Sequence, residues 1–272
     1  HATSCARKCA MRSAPSSGAA AGGMDPRVRG RVEVVMSPSS RYVESTELSA
    51  DSVEAHPYLA HVFAVSTYQV DKDESERDAA SPAYTRRGRC RLHRWQDGQC
   101  ILLDAVEGAA ILDAKWALAT PTPGYYGYGV LGIVDAASRL SLHRLGDDLR
   151  FAPLASWQMN DNASLCLSVD FSDRTVPGAS DARVIVSQSD GNLAMVPSMD
   201  ASTPRGMETW EAHGYEAWIA AWDAFQPGTI AWSGGDDLTL RGWDMRTPIE
   251  DGVRQPTFAC TKGYVGTRLT QL

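Results

Sequence analysis

No hydrophobic run in this 272-residue chain approaches the roughly 18 residues that a bilayer-spanning helix needs. Neither a membrane span nor a membrane partner is expected. The chain also lacks a Cys-x-x-Cys pair. Its six cysteines, Cys5, Cys9, Cys90, Cys100, Cys166 and Cys260, are scattered, which argues against a zinc ribbon or a disulfide framework and for reduced, cytosolic thiols. The six histidines, at 1, 56, 61, 93, 143 and 213, show no metal-ligand spacing and no H-E-x-x-H motif. No metal and no other cofactor is therefore expected. A G-x-S-x-G nucleophile elbow is missing as well, which sets aside an α/β-hydrolase. One stretch, Gly127 to Gly132, does spell G-x-G-x-x-G, but Pro121-Thr-Pro-Gly124 precedes it and strand-like Ile133-Val134 follows. No helix starts there to bind a phosphate, so it reads as a glycine-rich lead-in to a strand.

Positive charge is in short supply. The net charge is −7, which excludes a general nucleic-acid-binding surface. The deficit is uneven: residues 1–31 hold six basic residues, Arg7, Lys8, Arg12, Arg27, Arg29 and Arg31, against the single acid Asp25. What remains is an acidic body suited to a basic partner. Residues 1–31 are rich in Ala, Ser, Gly and Arg without periodic hydrophobicity, and are expected to be disordered. Met24 is the expected translation start, and the acid-poor residues 1–24 also resemble a transit peptide.

No segment reads as a long amphipathic helix. What the chain does hold is short alternating segments between turn signals, and tryptophan outnumbers phenylalanine, 8 to 5, as suits strands that bury aromatics between sheets. Strands are predicted at 32–36, 62–70, 90–95, 101–106, 111–118, 125–134, 140–145, 165–171, 184–188, 193–196, 217–222, 229–233 and 238–243. The Asp-, Glu- and Arg-rich stretch 71–87 reads as a solvated loop insertion. Superposing strands of the same role aligns Cys90, Leu140, Leu193 and Leu240, at steps of 50, 53 and 47 residues. WD repeats run about 40–45 residues with four strands each. The expected fold is thus an all-β WD-repeat β-propeller, with about four blades of a ring that normally holds near seven. It occupies residues 32–248, and 249–272 continue without a recognisable repeat.

The fourth unit is the most complete. In a WD blade, a His before the first strand, a Ser on the second, an Asp in the following turn and the Trp of the third form a buried hydrogen-bond chain. His213, Ser233, Asp237 and Trp243 occupy those places, and a buried Asp must be paired in this way. They share the composition of a Ser-His-Asp triad but are read as structural. The third unit has only Asp190 at the turn, and the second has Ala137 there with Asp135 two residues earlier. Propeller topology brings the loop before the first strand to the same rim as the turn after the second. Glu216, Asp236 and Arg241 are therefore the candidates for activating water and holding a charged group. The alternative is a solvated, charged rim.

The block His213-Gly-Tyr-Glu-Ala-Trp-Ile-Ala-Ala-Trp222, followed by Trp232-Ser-Gly-Gly-Asp-Asp-Leu-Thr-Leu-Arg-Gly-Trp-Asp-Met-Arg-Thr-Pro248, resembles the WD-repeat diphthine methylesterase family. Ala50-Asp-Ser-Val-Glu54, Ser66-Thr-Tyr-Gln69, Ala110-Ile-Leu-Asp-Ala-Lys-Trp116, Leu131-Gly-Ile-Val-Asp-Ala136 and Ser187-Gln-Ser-Asp-Gly191 add to the resemblance. It runs discontinuously over about 48–248, and residues 249–272 fall outside it. The resemblance implies hydrolysis of the methyl ester of methylated diphthine on elongation factor 2 in diphthamide biosynthesis, a cytoplasmic step with the nucleus as a second location. No assigned catalytic residues come with it. On the chemistry alone, Glu216 or Asp236 is the candidate base, and Trp218 or Trp222 the cation–π face for a quaternary ammonium. A non-catalytic WD-repeat scaffold and an inactive truncated product are the competing readings.

Overall fold

The computed structural model describes residues 42–72, 84–118, 128–160, 164–173, 182–199 and 206–261. Among them, eighteen strands and no helix are found. Four sheets follow one another along the chain, three of four strands and one of six, antiparallel except for a single parallel pair. Blade 1 holds β1 (Ser49–Ala55), β2 (Val62–Lys72), β3 (Tyr84–Gln96) and β4 (Gln99–Gly108). Blade 2 holds β5 (Ile111–Trp116), β6 (Gly129–Asp135), β7 (Arg139–Leu145) and β8 (Phe151–Gln158). Blade 3 is β9 (Cys166–Phe171), β10 (Val184–Gln188), β11 (Asn192–Val196) and β12 (Glu208–Glu211). Blade 4 comprises β13 (Ala217–Trp222), β14 (Ile230–Gly235), β15 (Thr239–Asp244) and β18 (Phe258–Thr261); a short hairpin, β16 (Ile249–Glu250) and β17 (Val253–Arg254), precedes its last strand in the chain and extends the sheet of blade 3.

The repeat expected from Cys90, Leu140, Leu193 and Leu240 is the third strand of each blade, β3, β7, β11 and β15. Gly129 and Gly132 of the glycine-rich stretch lie in the extended strand β6; Gly127 lies outside the described residues, as do the leader 1–31 and the strand expected at 32–36.

Alternation along the strands sends one set of side chains toward each neighbouring blade. Val62, Ala64, Cys90 and Leu92 pack on Ile111, Trp116, Leu131 and Ile133 between blades 1 and 2. Val134, Leu140, Leu142 and Trp157 meet Cys166, Val169, Phe171 and Val184 between blades 2 and 3. Leu193, Met195 and Trp210 meet Ala220, Trp222, Ala231 and Trp243 between blades 3 and 4. Each fully buried Leu, Val or Phe contributes about 1.5–3 kcal/mol relative to exposure, so these three interfaces hold the four sheets together. The inner strands are also clasped by polar side chains: Asp113 accepts from the Val169 amide, Ser168 from Ala220 and Asp170 from Trp222, at 3.0, 2.9 and 2.8 Å.

The other face of blade 1 is different. Where Cys90 and Leu92 are fully buried in the core, the alternate positions on β3 are Arg89, Arg91, His93 and Trp95. The preceding segment lies over them. Tyr42 meets Trp95 edge-on at 5.5 Å, and Glu47 pairs with Arg91 at 2.8 Å and Arg89 at 3.2 Å.

Three expectations need correction. The strands β1, β8, β12, β16, β17 and β18 were not expected; most are inner- or outermost edges, and β1 and β18 are mainly exposed along their length, so they carry no strong apolar alternation. The insertion at 71–87 is also shorter than expected. Strand pairing continues through Asp71↔Thr85 and Lys72↔Tyr84, with Arg87 bonded to Asp71 at 2.7 Å; residues 73–83 lie outside the described residues. Finally, the repeat-free stretch after 248 supplies the fourth strand of blade 4: β18 pairs with β15 through Leu240↔Cys260 and Gly242↔Phe258.

Candidate functional site

Blade 4 builds its rim from two close approaches. The loop between β12 and β13 crosses Gly191, whose carbonyl accepts the His213 amide at 2.9 Å. Gly191 has φ +88, and a β-carbon there would sit 2.2 Å from the His213 carbonyl oxygen. Across the blade, a β-carbon on Gly235 would lie 2.8 Å from both His213 Nδ1 and the Glu216 carbonyl oxygen. Only glycine lets the backbone of His213 pass at the first point and its imidazole fit under the turn at the second.

The imidazole is then locked by directional logic. Trp243 Nε1–H can only donate, and it reaches Ser233 Oγ at 2.8 Å. The ionised Asp237 can only accept, so His213 Nδ1–H donates to its Oδ1 at 2.9 Å. In the neutral imidazole Nε2 then accepts from the Ser233 hydroxyl, 2.7 Å away. Burial pushes the Asp237 carboxyl up, but bonds from Thr239 and His213 outweigh it and bring the pKa down to about 2. The four residues singled out by spacing thus form one chain, with Thr239 as a fifth member donating to Asp237 at 2.6 Å. The signal for Thr239 in the sequence is a hydroxyl two residues after the turn Asp. Ser233 is 1% exposed and its oxygen already accepts from Trp243, so the Ser-His-Asp geometry is no nucleophilic site.

The lesser turns follow the same plan. Asp190 accepts from the Asn192 amide at 3.1 Å and from the Asn160 side chain at 2.6 Å, so Asn160 stands where blade 4 has histidine. Asp135 caps its own turn by accepting from the amides of Ala137 and Arg139 at 2.9 and 3.2 Å.

The rim candidates divide. The Asp236 amide donates to the Glu216 carbonyl at 2.9 Å, so the loop before β13 and the turn after β14 do meet. Glu216 is half-buried and Asp236 exposed. Trp218, at 54% exposure, and Tyr215, at 66%, stand beside them on the same loop and strand start; Tyr215 was not expected. Arg241 turns the other way, donating to the Ala212 carbonyl at 2.7 Å and to Asp237 at 3.2 Å, so it braces the His213 network. Trp222 is 7% exposed and packs in the core between blades 3 and 4, which removes it as a ligand-facing ring. The arrangement offers two carboxylates and an exposed indole at one rim.

Four successive four-stranded blades with a His-Ser-Asp-Trp network define a WD-repeat β-propeller. Two solved structures of Sqt1 from Chaetomium thermophilum share the fold. One, at 14% identity and TM-score 0.50, covers 72% of this chain and 44% of its own. The other, bound to the N-terminus of the ribosomal protein L10, has 15% identity and TM-score 0.54 and covers 80% of this chain and 52% of its own. No family model matches the chain. Curated relatives are more specific: the human diphthine methyltransferase is 35% identical over 225 residues, 75% of this chain and 48% of its own. The mouse protein of the same name is 32% identical over 234 residues, 79% of this chain and 48% of its own. A Dictyostelium discoideum homologue is 25% identical over 230 residues, covering 76% of this chain and 56% of its own. Over about three quarters of its length the chain is thus similar to proteins named diphthine methyltransferase, and it spans about half the length of the curated relatives it matches.

Proposed function

We propose that the chain works in diphthamide biosynthesis as a hydrolase, freeing the carboxylate of methylated diphthine on elongation factor 2. The observation that carries this reading is the name shared by the relatives over about three quarters of the chain. The relatives' name speaks of methyl transfer; hydrolysis is what the resemblance to the methylesterase family implies, and the rim carboxylates are compatible with it. A carboxylate there takes a proton from water, and the resulting nucleophile attacks the ester carbonyl. The acyl C–O bond breaks, and methanol, a carboxylate and one proton leave. Glu216 or Asp236 is the proposed base. Trp218 supplies the cation–π face for the trimethylammonium, at about 0.5–2 kcal/mol. Arg241 acts as a positioning residue through the turn that carries Asp236. Elongation factor 2 is the proposed partner, in the cytoplasm with the nucleus as a second location; neither a nucleic acid nor a membrane is part of the reading.

The test is to incubate the protein with elongation factor 2 carrying methylated diphthine and follow methanol release. Removing a general base typically lowers the rate by about 10²–10⁴-fold, so either Glu216→Gln or Asp236→Asn should do so. Unchanged hydrolysis in both variants overturns the carboxylate assignment. A wild-type protein that releases no methanol overturns the hydrolase and favours a WD-repeat interaction scaffold. That second reading draws on the apolar side chains exposed on blade 4, Ile219 at 59% and Phe258 at 46%.

A further inference from the structure

Blade 1 brings together a histidine, a cysteine and a glutamate. His93 on β3 and Cys100 on β4 are seven residues apart and show no ligand spacing in sequence. The hairpin register supplies it: His93 pairs with Leu102 and Trp95 with Cys100, so His93 and Cys100 are diagonal neighbours on one face. Cys100 Sγ lies 3.2 Å from His93 Nδ1. Glu44 reaches in from the segment before β1, and the three ligand atoms all fall within 4.8 Å of one another.

We propose that Glu44, His93 and Cys100 form a binding site for zinc or a similar divalent transition metal. Zinc bonds of about 2.3 Å to sulfur and about 2.0 Å to nitrogen in a tetrahedron put those two atoms about 3.5 Å apart. The observed pair needs to open by only a few tenths of an ångström. Sulfur, imidazole and carboxylate together are a set that zinc accepts, with water in the fourth position.

Each ligand is also held from behind. The His93 ring stacks on Phe63 with centroids 5.5 Å apart and planes 18° from parallel. Tyr42 donates its hydroxyl to Glu44 Oε2 at 3.0 Å, the kind of outer contact that orients a metal-binding carboxylate. The segment carrying Glu44 is fastened on both sides, by Tyr42 against Trp95 and by Glu47 on Arg91. His93 is buried and Cys100 only partly so, which leaves a route for an ion from solvent. Binding displaces the thiol proton to water. The metal then pins the segment before β1 onto the outer hairpin of blade 1.

Cobalt(II) reports such a site through the thiolate-to-metal absorption band in the near ultraviolet. Titrating the reduced full chain with cobalt should give this band with one equivalent, and zinc should bleach it. Cys100→Ser, which changes one atom at a partly exposed position, should abolish the band, and His93→Gln should weaken binding at least tenfold. A second measurement uses the wild type alone: zinc should slow alkylation of Cys100 by iodoacetamide while leaving Cys260 unaffected. No band at stoichiometric cobalt, a band that survives Cys100→Ser, or equal alkylation of Cys100 with and without zinc overturns the site.

Discussion

At the scale of single residues, the behaviour of blade 4 turns on one carboxylate. Asp237 collects His213, Thr239 and Arg241, and its pKa is held at about 2, below the usual carboxylate value. A group depressed on folding contributes stability above its unfolded pKa and loses it as pH falls toward the folded one. The contribution of Asp237 should therefore be complete above about pH 4 and vanish toward pH 2. Hydrogen bonds to a charged group are worth about 1.5–3 kcal/mol, so Asp237→Asn should cost about 2 kcal/mol at neutral pH. Urea melts of the two proteins at pH 7 and pH 2.5 check this: the gap between them should narrow in acid. Asp244, also held at about 2 by Arg246, loses its share over the same range in both proteins and cancels from the difference. A gap that stays constant with pH rules out the ionised pairing. This network was legible in the sequence because its members sit at fixed places in a repeat. The sorting of Trp218 from Trp222 was not. Simple alternation puts both on one face, but the register shifts between Ala217 and Ile219, and this irregularity lifts Trp218 into solvent while Trp222 stays in the core.

At the scale of elements, the hairpin of β16 and β17 shows why the tail was misjudged. Its sequence carries no apolar pattern, and its anchor is a charged residue. β17 pairs in parallel with the outer strand of blade 3 through Glu211↔Val253, and Arg254 is 2% exposed. The guanidinium sits 4.6 Å from the Trp210 ring centroid and donates to Glu208 Oε2 at 2.5 Å. A desolvated cation over indole is worth about 2 kcal/mol, and the stem adds packing. Arg254→Ala should destabilise the protein by about 2–3 kcal/mol, measured by urea denaturation, and Arg254→Lys should recover only part of it because the planar stack is lost. A neutral Arg254→Ala means that the hairpin contributes nothing to the joint between blades 3 and 4. The other unexpected strands share this cause. Apolar runs report strands packed on both sides, such as β6 and β10, which are buried along their whole length. Short outer strands such as β12 (Glu-Thr-Trp-Glu) and β18 (Phe-Ala-Cys-Thr) are recruited by backbone pairing, which leaves little trace in side-chain pattern.

At the scale of the whole chain, the two terminal blades present unlike faces. Blade 1 turns Arg89, Arg91, His93 and Trp95 away from the core and covers them with its own preceding segment. On blade 4, Ala231 and Trp243 pack toward blade 3, so the alternate positions Trp232, Gly234 and Gly242, with Ile219 and Phe258, form the opposite face. The Trp232 and Phe258 rings meet edge-on at 5.7 Å, and Ile219 touches the Gly234 position. Among the described residues, nothing covers Ile219 at 59% exposure or Phe258 at 46%. A connected apolar patch on a protein surface binds hydrophobic dyes and marks a contact surface. The chain should therefore bind an anilinonaphthalene dye in its folded state. Ile219→Lys and Phe258→Lys should each reduce the fluorescence, and the double variant should reduce it most. Both side chains are already largely in water, so neither single change should cost more than about 0.5 kcal/mol. Urea melts run beside the dye titration separate the possible outcomes. Lost fluorescence at unchanged stability identifies the face as open. Unchanged fluorescence together with a large loss of stability means that these residues are packed against something, and that blade 4 does not present a free face.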